Sequence, residues 1–118
     1  MSKSAEALAS SSMIAGLVLG ISLYTGVSID PLDLLNLIGG AIAGTLSPQE
    51  QAIWGTISLV VIIVGIIQTI ILVVSLVAHG LEGVVASVMG FLGGLFLVSY
   101  PIPAVLLILV SLVIGAIL

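Results

Sequence analysis

Charge is what this sequence has least of. Its 118 residues include one Lys, no Arg and five acidic side chains, so only 5% of the chain is charged. A soluble domain carries roughly a quarter of its residues as Asp, Glu, Lys and Arg. Six ionic groups are too few to keep the surface of a folded monomer wet. With 61% hydrophobic residues and a mean hydropathy of +1.55, the chain must present most of its surface to lipid or to other copies of itself.

Other absences narrow the chemistry. Cysteine is missing, which removes disulfides and thiolate metal ligands. Net charge is −4, so no electrostatic hold on nucleic-acid phosphate is encoded in the side chains. No glycine-rich phosphate loop exists, because every glycine falls in apolar helical sequence or in a turn. The serines have no His and Asp partners in a pattern that would make a nucleophile. His79 and Glu82, three residues apart, can share a helical turn but are too few ligands for a metal. No cofactor is expected, and the chain reads as something other than an enzyme. A rotary proteolipid is excluded on similar grounds: it needs a carboxylate midway along a membrane helix, where this chain has Val, Ile, Gly and Gln68.

What the chain does have is apolar length, punctuated by a few sharp signals. The pattern predicts a single all-α domain over 1–118, built of hydrophobic membrane-type helices at about 4–27, 31–46, 48–79 and 81–118, the last interrupted by a kink or a short break at 100–103. Lys3 and Glu6 precede the first apolar run. That run is about the length of a signal-peptide core, yet no clear Ala-x-Ala site follows Tyr24, so it is read as a retained helix, with a cleaved leader as the alternative. Ser12, Gly16 and Gly20 form a small-residue stripe along it, of the kind that lets helices approach closely in a membrane.

Asp30 and Asp33 flank Pro31. Paired catalytic carboxylates are imaginable, but this spacing fits a helix start better: Asp30 as the N-cap, Pro31 at the first position and Asp33 in the first turn, where the helix dipole favours an anion. The helix that follows is too short to cross a bilayer and is expected to be partial or interfacial. Gly40 and Gly44 repeat the small-residue spacing. Ser47-Pro48-Gln49-Glu50 is a capping box. It opens a run that stays apolar to Ala78, with Trp54 near its start as an interface anchor. At about 45 Å this helix exceeds a flat bilayer, so it should tilt or project.

Gln68 is the one strongly polar side chain deep in that run. It reads as a proton site, a gate or an interhelical hydrogen bond; since an amide does not titrate, the structural reading is preferred. His79-Gly80-Leu81-Glu82-Gly83 then suits the tip of an antiparallel helical hairpin, with Gly80 as a C-cap. Gly83, Ser87, Gly90 and Gly94 line one flank of the next helix.

This layout, a short helix, a capped long apolar helix, a polar turn at 79–83 and a Gly-rich helix, resembles the pilins of conjugation and type IV secretion systems. These are the TrbC/TraA-like family, in particular its archaeal DNA-exchange members. The resemblance covers about 30–118 and rests on architecture rather than on any one motif. It implies a subunit stored in the cell membrane and then assembled with lipid into an extracellular helical tube. His79, Gly80, Leu81, Glu82 and Gly83 would face the lumen and the flanking helices would hold lipid tails. The implied partners are other copies of the chain, membrane lipid and a secretion or DNA-translocation machinery, with DNA passing through the lumen unread. Two departures stand out: the turn carries Glu82 where family members often have a basic residue, and the helix at 4–27 is additional. The alternative reading is a small membrane channel, holin-like, or an accessory subunit of a DNA translocase, motivated by Gln68 and the segment 100–103.

Overall fold

A computed structural model describes residues 3–118, and the described residues are all-helical. The first helix, α1, spans Lys3–Ser22 and runs on into a π-helical turn, Leu23–Val27. Ser28 ends it with a left-handed backbone (φ 54°). Asp30 starts α2, Pro31–Ala43, and Gly44 closes it in the left-handed region (φ 72°). That glycine stops α2 short of the expected end near Leu46, because a residue with positive φ cannot continue a right-handed helix.

The third segment, α3, covers Pro48–Phe96 but is not one rod. As a straight helix its 49 residues would extend about 74 Å, whereas the whole molecule is 49 Å in its longest dimension. Gly80, at φ 69° and ψ −157°, interrupts it. Only glycine occupies that region without strain. Beyond the break, Ser87 Oγ lies 2.8 Å from Ser75 Oγ, two atoms that a straight helix would hold about 18 Å apart. We call residues 48–79 and 81–96 the first and second arms of α3.

The expected single kinked stretch over 81–118 is two helices. The second arm ends at Phe96, and α4 spans Pro101–Ile117. Ser111 Oγ donates to the Ala86 carbonyl at 2.7 Å, across 25 residues of sequence, so the chain has folded back on itself between them. The two prolines explain the difference. Pro101 and Pro103 both sit in the first turn of α4, where no backbone donor is needed inside the helix. They begin a helix there instead of bending one.

The second arm occupies the middle. On one flank Gly90 meets the Ala9 carbonyl and Gly94 the Met13 carbonyl of α1. On another, Gly93 meets Ala104 and Ile108 of α4. The first arm lies against it through Ser75 and Ser87. Side chains this small allow backbones to touch, which is how helices associate where water provides no drive. The large apolar residues cluster toward one end, where Leu19 of α1, Leu23 of the π-helical turn, Leu34 and Leu37 of α2, and Ile57 and Val64 of the first arm are buried together. Thus α2 covers the opening turns of the first arm. The remaining residues, about 58–79, span roughly 33 Å, close to a hydrocarbon core of about 30 Å. The excess length noted in the sequence lies where α2 packs on the first arm.

Candidate functional site

Among the described residues two helices are long and apolar enough to cross a membrane: Lys3–Val27, counting the π turn, and Pro48–Phe96. Only 22% of the most apolar window of the longer one is buried. Its outward side chains include Leu59, Ile62, Ile66, Ile70, Val73 and Val77, the last 83% exposed. Burying such residues stabilises a protein by about 1.5–3 kcal/mol each, so an uncovered row of them marks a contact surface.

Polar groups gather at the two ends of this apolar body. At one end the tip of α3 meets the start of α1: Ser4 Oγ lies 2.9 Å from His79 Nε2, and Gly115 of α4 approaches Ala5 and Glu6. Of the tip residues, Leu81 and Glu82 are exposed, His79 and Gly80 half-buried, and Gly83 buried against Ser75 and His79. Lys3, Glu6 and Glu82 belong to this end. Among the described residues no group of three His, Cys, Asp or Glu side chains is placed to hold a metal ion.

The other end is acidic and aromatic. Asp30 Oδ1 accepts from the Leu32 amide at 2.9 Å, and Asp30 Oδ2 accepts from the Tyr100 hydroxyl at 2.5 Å. One carboxylate therefore caps α2 and ties it to the start of α4. The Tyr100 hydroxyl titrates above its ordinary range, first because Asp30 holds its proton and then through partial desolvation and the charges of Asp30 and Asp33. Asp33 stands exposed in the first turn of α2. Ser47 and Glu50 close the capping box: the Glu50 amide donates to Ser47 Oγ at 3.2 Å, and the Ser47 amide to Glu50 Oε1 at 3.0 Å. Two open grooves flank this end, one of about 270 Å³ lined by Leu32, Phe96, Tyr100, Pro103 and Leu107, the other of about 230 Å³ beside Gly40, Gly44 and Trp54.

The glycine stripes fall into two groups. Gly16 and Gly20 pack on Phe91 and Leu95, and Gly83, Gly90 and Gly94 are also packed within the chain. Ser87 is buried with Ser75. Gly40 touches Leu46, whereas Gly44 faces open space and serves as a cap. Gly39, Gly55 and Gly65 are open too. Gln68 is 7% exposed, so its amide is turned into the fold.

Sequence reasoning missed the long-range polar pairs: Ser4 with His79, Asp30 with Tyr100, Ser75 with Ser87, and Ser111 with Ala86. Serines at helical spacing on an otherwise apolar face were the available signal for the last two. Comparison with known family models, curated proteins and solved structures finds nothing that this chain matches.

Proposed function

We propose that this chain is a structural subunit of an extracellular conjugative pilus, held in the membrane before assembly and built with lipid into a helical tube. The observation that carries the reading is an apolar body with an uncovered outer face, closed by polar groups at both ends. Such a body stays in a bilayer until its neighbours take over the covering role. A heterologous contact repeated along a helix achieves that without limit.

Within this reading the two arms of α3 form the antiparallel hairpin of the pilin, and 79–83 faces the lumen. Glu82 would make that wall acidic unless lipid headgroups offset it. The inner glycine stripes are used within each protomer, so contacts between copies fall to the open face of the first arm. There Gly55, Ser58, Gly65 and Thr69 lie near one helical line among Leu and Ile. α1 packs along the second arm as an added layer of the wall, with Ser4 beside His79 at the lumen-facing end.

The test is to shear surface filaments from cells under pairing conditions and identify their protein and lipid. The reading predicts this chain as the principal protein, co-purifying with phospholipid. Recovery of the chain solely from the membrane fraction of cells that bear filaments would contradict it.

A further inference from the structure

Among the described residues three buried polar atoms have no hydrogen-bond partner: Ser12 Oγ, Gln68 Oε1 and Gln68 Nε2. Leaving such an atom unsatisfied is destabilising. The other buried hydroxyls are satisfied: Ser75 with Ser87, and Ser111 with the Ala86 carbonyl. Ser12 and Gln68 therefore stand apart from a core that otherwise pairs its polar groups.

The register places them together. Ser75 faces Ser87 across the arms of α3. Seven residues back along one arm and seven on along the other are two helical turns on each, which keeps the same facing sides and brings Gln68 level with Gly94. Gly94 is in contact with the Met13 carbonyl and the Leu17 amide of α1, one residue beyond Ser12. The apolar cluster gives the same alignment from the other side, with Ala15 and Leu19 of α1 packed among Val64 and Ile57 of the first arm. Ser12 is fully buried and Gln68 is 93% buried, so neither side chain is open to the surface at this level.

We propose that Ser12 and Gln68 enclose a bound water molecule between α1 and the two arms at the level of Gly94. A water supplies two donors and two acceptors, which matches an amide that needs both and a hydroxyl that needs either. Buried waters characteristically make about three hydrogen bonds to polar groups left over by the fold. The site lies within the bundle, behind the exposed apolar row of the first arm. It is independent of whether the chain assembles into a pilus.

The full chain, labelled with ¹⁵N at its three glutamines and placed in phosphatidylcholine nanodiscs, tests this by magnetisation transfer from water to the side-chain amides. Gln49 and Gln51, at the exposed start of α3, serve as internal references. The Gln68 amide should show transfer from water that persists when a water-soluble paramagnetic agent has bleached both references. Its exchange into D2O should be slower than theirs by about tenfold or more, as for a site reached only by local opening. Ser12→Ala should weaken the Gln68 transfer while leaving both references unchanged. The proposal is overturned if Gln68 receives no magnetisation from water, as a direct Ser12 bond or a dry amide would give. It is equally overturned if the agent bleaches Gln68 with the others, or if Ser12→Ala leaves its signal as it was. The wild-type measurement decides the first two outcomes even where the variant fails to fold.

Discussion

At the scale of single residues, Gly80, Gly94, Ser47 and Tyr100 have separable jobs. Gly80 carries the break in α3 at a backbone conformation that a side chain resists, so Gly80→Ala should lower stability by about 1–3 kcal/mol. Unfolding in mild detergent by a denaturant series measures this. A stability unchanged within error would mean that the turn does not need its glycine. A Cβ at Gly94 would strike the Met13 carbonyl, whereas one at Gly65 meets nothing within 4 Å. Gly94→Ala should therefore destabilise the protomer by about 1–3 kcal/mol as an overpacking change. Gly65→Ala should leave it unharmed or up to about 1 kcal/mol more stable through helix propensity. Equal effects at the two positions would contradict the packing described.

Tyr100 gives a pH prediction. Its neutral hydroxyl donates to Asp30, and its pKa is raised. A raised folded-state value means that the link contributes fully below the unfolded tyrosine pKa of about 10 and is lost as pH climbs through the folded value. Phenolate absorbance should report a late-titrating tyrosine that moves earlier in Asp30→Asn. If Asp30→Asn leaves the titration of Tyr100 where it was, the link between α2 and α4 is absent in solution. The caps at Asp30 and Ser47 were legible in the sequence because capping is local: acceptor, proline and acid lie within four residues. The Asp30–Tyr100 and Ser4–His79 pairs were not, because each joins residues at least 70 positions apart and depends on how the helices stack.

At the scale of elements, apolar runs and their punctuation located most helix starts. Ser47-Pro48-Gln49-Glu50 gave the start of α3, and Asp30-Pro31 that of α2. Removing the capping hydroxyl with Ser47→Ala should cost about 1 kcal/mol and fray the first turn of α3. Hydrogen exchange of the amides of Gln49 to Gln51 is the readout, and unchanged protection there would count against the box. What the sequence concealed was the reversal between Phe96 and Pro101. Phe-Leu-Val-Ser-Tyr holds no glycine, and two prolines in an apolar run read equally as a kink or as a first turn. The structure separates these alternatives because Ser111 reaches Ala86. The length of the first arm was legible, but its reason was not. Only the packing of Leu34 and Leu37 beside Ile57 shows that α2 lies against its opening turns.

At the scale of the whole molecule, composition alone dictated the solvent. A chain with six ionic groups among 118 residues places them at the two ends of a bundle 49 Å long, leaving the middle to Leu, Ile and Val. Assembly is the level at which a single sequence is least informative, since contacts between copies would use the same apolar side chains that lipid would cover. The claim on which the rest depends is that this outer surface needs lipid, detergent or sister copies to stay covered. Sedimentation velocity of the purified chain after detergent removal, in plain buffer, tests it most directly. The expected result is that no monomer persists and the protein sediments as large assemblies or precipitates. A single stable species at the monomer mass of 11.9 kDa would contradict the account.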